Sequence, residues 1–160
     1  QCLRSGDPAK AESLVERAVL QTPDLRGRLD GEPFEGLRDY DDLLAGVVEI
    51  FAGGRYIWLP LEHVRRLEID APAHALDTLW RPARLEDSRG ETAQVHLPVL
   101  YPGSYADADD GVRLGRVTRW NELGGLYSGI GQHVLLVAHG DDCNEHALLD
   151  IRELELQETV

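Results

Sequence analysis

The residues best suited to metal chemistry in this chain lie close together between His139 and His146. His139, Cys143 and His146 carry the nitrogen and sulfur atoms that zinc prefers. The carboxylates that could add oxygen ligands are Asp141, Asp142 and Glu145. However, the spacing matches neither a CxxC pair nor an HExxH helix, and a polar hairpin loop is expected between the two apolar stretches on either side. We predict that no metal binds here, and a small metal-dependent hydrolase that uses the His139–His146 loop stays as the alternative function.

The other candidate sites are also incomplete. Asp107 to Gly111 resembles the start of a calcium-binding loop, but Thr118 occupies the position that needs a bidentate glutamate. The run from Gly124 to Gly131 matches neither a dinucleotide fingerprint nor a phosphate loop. Ser104 and Ser128 lack the surroundings of a nucleophile elbow. The chain is therefore predicted to have no catalytic residues, no cofactor and no enzymatic activity.

Three stretches indicate binding instead of catalysis. Residues 51–60, 79–84 and 97–104 hold two of the three tryptophans and two of the five tyrosines, together with prolines and arginines. Aromatic and arginine anchors dominate the energy of many protein–protein contacts. The same residue types also suit an aromatic core and internal salt bridges, and the sequence leaves that alternative open. The predicted partner-binding residues are Tyr56, Trp58, Arg81, Arg84 and Tyr101.

Composition limits the kinds of partner. The chain of 160 residues is 42% hydrophobic and 28% charged, which fits one globular domain or one domain with a fragment of another. Its net charge of −13 repels nucleic acids and anionic membranes. No apolar run approaches the ~18 residues that span a bilayer. We therefore expect protein partners, and neither nucleic acid nor a membrane.

Two features concern the cell compartment and the extent of the chain. Cys2 and Cys143 are expected to be free thiols in a reducing cytosol, so the protein is predicted to be cytoplasmic. The first residues lack the basic and apolar regions of a signal peptide. Methionine is absent, even at position 1. We interpret the sequence as a piece of a longer protein, with a partner helix before it.

The elements that would position these residues begin with a helix over residues 9–20. Asp7 can cap this helix and Pro8 suits its first turn. Its alanines recur at a spacing typical of tetratricopeptide-type packing, although one helix does not establish a repeat. We interpret residues 1–22 as the end of a helical N-terminal region and residues 23–38 as an irregular linker.

From residue 39 to residue 160 the pattern predicts one α+β domain with a mainly antiparallel sheet and a few short helices. A second helix is predicted from Leu43 to Phe51, capped within Asp39–Asp42 and ended by Gly53–Gly54. A short helix is predicted over 73–80, and glycine-rich and polar loops over 121–131 and 139–146. The predicted strands cover residues 56–59, 65–69, 83–86, 93–99, 112–120, 132–138 and 147–156.

Several blocks, taken in order, resemble the ImpE/SciE family, also called TagJ. The resemblance covers residues 25–156, and the preceding helix is similar to the end of the family's tetratricopeptide-like N-terminal region. The blocks that carry it are VEIFAGGRYIWLPLE (48–62), LEI (67–69), DTLWRPAR (77–84), LPVLYPGS (97–104), GIGQ (129–132), VLLV (134–137) and LDIRELEL (149–156).

This resemblance implies an accessory protein of the bacterial type VI secretion system. Members of the family are associated with the contractile sheath, where they bind a helical segment of the small sheath subunit. They also contact the N-terminal region of the AAA+ ATPase that recycles the sheath, and no catalytic activity is known for them. No family motif identifies the contact residues. A purely structural domain, with the binding surface on the preceding helices, is the other alternative.

Overall fold

A computed structural model of the protein describes residues 8–21 and 23–157. Its first element is helix α1, Pro8–Gln21, which confirms the helix predicted over residues 9–20. Proline suits the first turn because the backbone N–H groups there have no acceptor within the helix, so the N–H that proline lacks is not missed. The predicted cap, Asp7, lies outside the described residues. The tetratricopeptide-like origin of α1 stays a prediction.

The remainder of the described chain is mainly antiparallel β-sheet. An eight-stranded sheet has the order β2-β1-β13-β6-β7-β8-β4-β5, a three-stranded sheet has the order β12-β11-β3, and β9 pairs with β10. All strand pairs in these sheets are antiparallel, which confirms the predicted α+β class with a mainly antiparallel sheet. The strands are β1 (Gly27–Leu29), β2 (Glu32–Phe34), β3 (Gly36–Asp39), β4 (Val47–Ala52), β5 (Arg55–Pro60), β6 (Val64–Ile69), β7 (Trp80–Asp87), β8 (Thr92–Pro98), β9 (Arg119–Leu123), β10 (Leu126–Ile130), β11 (Val134–His139), β12 (Asp142–Ala147) and β13 (Glu153–Leu156).

One cluster of buried apolar side chains joins the two larger sheets. Leu67, Leu85 and Val95 enter it from the eight-stranded sheet, and Leu37 and Val137 enter it from the three-stranded sheet. Because side chains alternate along a strand, the eight-stranded sheet has a core face and an outer face. The described residues include no helix that is both long and apolar enough to cross a membrane.

The helix predicted from Leu43 to Phe51 is wrong. Residues 43–46 form a turn and β4 follows, paired with β5. The pair Gly53–Gly54 has φ values of 57° and 74°, and two adjacent residues with positive φ form the type I′ turn of a tight hairpin. The glycines therefore join two strands and do not end a helix. Val47 and Val48 supply the β-branched side chains that favour a strand.

The irregular structure predicted for residues 23–38 is also wrong, because this segment contains β1, β2 and most of β3. β1 pairs with β13, and β3 pairs with β11, so the segment joins both larger sheets. Gly27 serves a close approach of strands, since a Cβ there would lie 1.9 Å from the carbonyl oxygen of Glu155. The division of the chain into three units at residues 22 and 38 stays a prediction.

Two further predictions fail between residues 110 and 131. The strand predicted over 112–120 is replaced by a short helix α2, Asp110–Arg113, and by the first residues of β9. Asp109 caps α2 by accepting a hydrogen bond from the Gly111 N–H at 2.7 Å. The glycine-rich loop predicted over 121–131 forms most of the β9–β10 hairpin, in which Gly124–Gly125 is the turn.

The remaining elements lie closer to their predicted positions. The strands predicted over 56–59, 65–69, 83–86, 93–99 and 132–138 are confirmed by β5, β6, β7, β8 and β11. The helix predicted over 73–80 is a 3-10 turn at Ala75–Thr78. The polar loop predicted over 139–146 is mostly β12, and the strand predicted over 147–156 is limited to β13.

Candidate functional site

An aromatic patch covers one end of the outer face of the eight-stranded sheet. We define it as Phe51, Tyr56, Trp58 and Trp80. Ile57 of β5 points into the core, so its neighbours Tyr56 and Trp58 point to the outer face. Tyr56, Trp58 and Trp80 are 48%, 52% and 41% exposed. The Phe51 ring lies 5.2 Å from the Tyr56 ring and meets the Trp80 ring edge-on at 4.9 Å.

Hydrogen bonds fix the two aromatic residues of β5. Trp58 Nε1 donates to the Tyr56 hydroxyl at 2.6 Å, and that hydroxyl donates to Glu49 Oε1. Glu49 is the register partner of Trp58 and is buried. A buried carboxylate therefore determines how Tyr56 and Trp58 are presented to solvent.

Glu49 belongs to a buried ionic cluster with Asp39, Tyr101 and His133. His133 Nε2 lies 3.0 Å from Glu49 Oε2, and His133 Nδ1 lies 2.8 Å from Asp39 Oδ2. The Tyr101 hydroxyl donates to Asp39 Oδ1 at 2.6 Å, and the Tyr101 ring lies 4.0 Å from the imidazole. Buried charges are tolerated when they are paired, and here two carboxylates enclose one imidazole.

The cluster favours the charged form of His133. Burial lowers the pKa of His133, but the contacts with Asp39 and Glu49 outweigh burial and raise the pKa to about 9. Burial and the adjacent Asp39 carboxylate raise the pKa of Tyr101, so its hydroxyl stays protonated and can donate. At neutral pH the cluster therefore holds an imidazolium between two carboxylates.

Asp41 and Asp42 attach the β9–β10 hairpin beside this cluster. Asp41 Oδ2 accepts hydrogen bonds from the Gly129 N–H at 2.9 Å and from the Ser128 hydroxyl at 3.0 Å. Asp42 Oδ2 accepts from the Tyr127 N–H at 2.6 Å. Burial raises the pKa of Asp41, while these hydrogen bonds oppose that effect. The run Asp39–Asp42, predicted as a helix cap, thus connects the β9–β10 hairpin to the ionic cluster.

Arg81 and Tyr101 are interior residues, so the structure does not present their side chains to a partner. Arg81 is 0% exposed and Tyr101 is 1% exposed. Arg81 lies opposite the core residue Leu97, and its Nη2 donates to the Leu149 carbonyl at 3.1 Å. Burial, followed by the charge of Arg152, lowers the pKa of Arg81. Both side chains therefore pack inside the protein and support its fold.

Arg84 lies on the outer face near the aromatic patch. Its side chain is 59% exposed, and its guanidinium is 3.8 Å from Glu68. Arg66 makes a closer pair with Glu68, at 3.3 Å, and a further pair with Glu153. This row of alternating charges crosses β7, β6 and β13, so the outer face has an ionic part beside an aromatic part.

The structure thus brings Tyr56, Trp58 and Arg84 to one face, and it adds Phe51 and Trp80 to them. Phe51 was missed because its segment was interpreted as a helix. Once β4 and β5 are known to form a hairpin, alternation alone places Phe51 beside Tyr56. The buried cluster had no sequence signal, because its members come from four separate segments.

The candidate zinc ligands do not converge. His139 and His146 lie at different positions along β11 and β12, and Cys143 is on the face of β12 opposite to His146. Cys143 is a free, exposed thiol. In the part of the chain that the structure describes, no group of three or more His, Cys, Asp or Glu side chains could hold a metal.

The other candidate residues have structural partners. Arg119 pairs with Asp107 at 3.5 Å and also pairs with Asp109, so the carboxylates of the calcium-like segment are engaged. The Ser104 hydroxyl donates to the Tyr101 carbonyl at 2.6 Å, and the Ser128 hydroxyl donates to Asp41. These contacts account for the polar groups without a catalytic role.

Comparison with known proteins identifies the family. The sequence model described as "ImpE protein" matches residues 31–155. The chain belongs to the ImpE family. It is 36% identical over 154 residues to the type VI secretion system accessory component TagJ of Pseudomonas aeruginosa strain PAO1. That alignment covers 96% of the chain and 52% of the relative, so the chain spans about half the length of this ImpE-family relative.

A solved structure has the same fold. The crystal structure of protein VPA1032 from Vibrio parahaemolyticus superimposes with a TM-score of 0.89 and 23% sequence identity. The superposition covers 99% of this chain and 58% of the other. The arrangement of sheets described above therefore recurs in another protein.

Proposed function

We propose that this ImpE-family chain is part of a non-catalytic accessory component of the bacterial type VI secretion system. The complete protein would act in the cytoplasm and bind a helical segment of the small contractile-sheath subunit. Its second partner would be the AAA+ ATPase that recycles the sheath. The function named for the Pseudomonas relative supports this proposal, as does the family match over residues 31–155.

The exposed aromatic patch is the observation that carries the proposed binding role. Three of its four members are more than 40% exposed, and they form a contiguous apolar surface. Exposed apolar surface of this kind commonly marks a protein–protein contact. An amphipathic helix could lay its apolar stripe across the patch, with Tyr56 and Trp58 as the anchors and Arg84 at the margin.

The anchors need little ordering before they bind. Tyr56 is held by Glu49, and Trp58 is held by Tyr56, so both rings already have defined orientations. A side chain that is fixed in advance loses less conformational entropy when a partner arrives. The net charge of −13 should also attract basic residues that flank the sheath helix, so binding should weaken at high salt.

The arrangement of candidate catalytic groups supports a non-catalytic role. The candidate zinc ligands are spread over two strands, and the candidate nucleophiles bond to structural partners. The charged His133 has a carboxylate at each ring nitrogen, which leaves it no free nitrogen to act as a base. The described chain therefore favours adaptor function over turnover.

A binding titration tests the proposal. Labelled helical peptides, tiled across the small sheath subunit, would be titrated with the complete protein and followed by fluorescence anisotropy. We expect one peptide to bind, and we expect Trp58→Ala to weaken its affinity by about tenfold or more, as for an interface anchor. Tyr105→Ala is the matched control, because Tyr105 is 80% exposed but does not belong to the patch.

The controls separate the two parts of the proposal. If Tyr105→Ala and Trp58→Ala weaken binding equally, the patch is not the binding surface. If no peptide of the sheath subunit binds the intact protein, the proposed sheath partner is wrong. Association with the ATPase is tested independently, by pull-down of its N-terminal region with the complete protein.

A further inference from the structure

In the part of the chain that the structure describes, no strand pairs with the outer edge of β5. β5 is the last strand of the eight-stranded sheet, and Tyr56 and Trp58 on one face and Ile57 and Leu59 on the other make both of its faces apolar. Edge strands are normally protected by shortness, charge, a bulge or proline. The opposite edge, β2, is protected because it has three residues with Pro33 at the centre. β5 has proline only at its last position, so the edge can accept another strand.

The hairpin turn determines which backbone groups of β5 face this edge. In a two-residue hairpin, the residues that flank the turn exchange both backbone hydrogen bonds, and here these are Ala52 and Arg55. Alternation then directs the N–H and C=O of Ile57 toward β4 and those of Tyr56 and Trp58 toward the free edge. Outside the sheet ladders, no backbone hydrogen bond of the described chain involves Tyr56 or Trp58.

We propose that β5 pairs with β5 of a second copy of this protein, antiparallel about a two-fold axis at Ile57. In this register Tyr56 faces Trp58 of the second copy, and Trp58 faces Tyr56 of the second copy. Each facing pair exchanges two hydrogen bonds, so the contact uses every outward N–H and C=O of these two residues. A register about Trp58 would instead place the Tyr56 carbonyl opposite Pro60, which has no N–H.

The side chains are compatible with this self-pairing. Tyr56 and Trp58 are cross-strand neighbours on the outer face, so the aromatic patches of the two copies would become continuous. Ile57 meets Ile57 of the second copy on the core side. The single formal charge on β5 is Arg55, at its first residue, and it lies opposite Leu59 of the second copy. No like charges therefore face each other within the paired strands.

The size of the contact predicts a weak dimer. A fully covered aromatic side chain buries about 150–250 Å². Since Tyr56 and Trp58 are about half exposed, four such rings and two strand edges would bury roughly 500–1,000 Å² in total. This area is below the ~1,200–2,000 Å² of stable interfaces, so we expect dimers only at high protein concentration. Because each chain carries a net charge of −13, added salt should strengthen the dimer.

Site-specific crosslinking tests the register. The native cysteines are first replaced by serine. Ile57→Cys then places one thiol of each copy beside the two-fold axis, and the two Cα atoms of residue 57 are close enough for a disulfide. Arg55→Cys is the control, because its counterpart in the second copy is four residues away along the strand, or about 13 Å. We expect mild oxidation to link Ile57→Cys into dimers at least tenfold faster than Arg55→Cys. Equal rates would overturn the proposed register.

Sedimentation equilibrium of the complete protein tests the pairing itself. Trp58→Pro and Trp58→Thr both remove the indole, but only proline also removes the outward N–H while leaving the β4 ladder intact. We expect the dissociation constant of the dimer to be about tenfold higher for Trp58→Pro than for Trp58→Thr. If the wild-type protein stays monomeric at high protein concentration and high salt, the proposed pairing of β5 with a second copy is wrong. The sheath helix is proposed to lie on the outer face, so failure of the strand pairing and failure of the sheath contact give separate results.

Discussion

The imidazole of His133 is paired with the carboxylate of Asp39 at 2.8 Å, in the interior, where β3 ends and β11 begins. Leu135, two residues after His133, is the register partner of Asp39, so the pairing of β3 with β11 brings the two groups together. Glu49 completes the pair from β4, and through Tyr56 it reaches the surface. The buried charges and the exposed aromatic residues are therefore parts of one connected structure.

We expect the free energy of unfolding to fall as the pH rises from about 6.5 to 9. The pKa of His133 is about 9 in the folded protein and about 6.5 in the unfolded chain. Below pH 6.5 His133 is protonated in both the folded protein and the unfolded chain, so its full contribution to stability is present. Between the two values the folded form holds one more proton, so stability should fall by about 1.4 kcal/mol per pH unit and be lost above pH 9. Urea unfolding from pH 6 to 9.5 measures this slope.

A control variant assigns the slope to the buried histidine. His96 is exposed on the outer face, so His96→Gln should keep the same slope. A wild-type protein whose stability does not change between pH 7 and 9 would show that His133 is not held as an imidazolium.

Asp39→Asn should destabilise the protein by about 2–4 kcal/mol at pH 7. The asparagine keeps the size of the side chain and an acceptor for Tyr101, but it leaves His133 with one carboxylate instead of two. Breaking a buried ion pair has this cost because an incompletely compensated charge remains inside. Asp110→Asn, at an exposed carboxylate, should change stability by less than about 0.5 kcal/mol. Equal effects of the two substitutions in chemical denaturation would contradict the role of the cluster.

Tyr56→Phe should weaken the presentation of Trp58 while keeping the ring. The change removes the donor to Glu49 and the acceptor for the Trp58 indole, which should cost about 1 kcal/mol of stability. The indole N–H of Trp58 should also exchange faster with solvent, as measured by NMR. Tyr127→Phe is the control, because Tyr127 is similarly exposed and lies on β10. If the exchange of the Trp58 indole is unchanged in Tyr56→Phe, the hydrogen bonds do not hold it in solution.

Arg81→Ala should lower stability without changing partner binding, whereas Arg84→Ala should weaken partner binding with little change in stability. Arg81 is fully buried, so its loss should lower the free energy of unfolding by about 2–4 kcal/mol and leave the partner affinity of the folded protein unchanged. Arg84 is exposed, so its loss should change stability by less than about 0.5 kcal/mol but should weaken partner binding. Melting curves and peptide titrations of both variants measure the two quantities. Unchanged stability of Arg81→Ala would contradict its interior role.

Sequence patterns were sufficient for strands whose period is clear. The sequence patterns of β5, β7 and β8 predicted these strands and the mainly antiparallel sheet. The pattern failed at β4, because Leu43, Leu44, Val47, Val48 and Phe51 also recur at helical spacing. The two glycines that follow suit both a helix end and a type I′ turn, and only pairing with β5 decides between them.

The interior of the site could not be predicted because it depends on long-range pairing. Tyrosine and arginine are common interface anchors, which is why Tyr101 and Arg81 were predicted to bind a partner. Strand register instead places Arg81 opposite Leu97, facing the core. Glu49 and His133 are isolated in sequence and meet only after β3 and β11 pair. Exposure of Tyr56 and Trp58 likewise follows from their position in an edge strand, which one strand's own sequence does not reveal.

The position of β13 has a consequence for the way the protein folds. β13 lies between β1 and β6, so β1 and β2 have no place in the eight-stranded sheet until residues 153–156 have been made. At ~5–20 residues per second, translation would leave the β1–β2 hairpin waiting on the order of ten seconds. Contacts of such large sequence separation also form slowly in a complete chain. Folding of the eight-stranded sheet should therefore finish only after residues 153–156 have been made, and β1 and β2 stay unpaired with β13 during that interval.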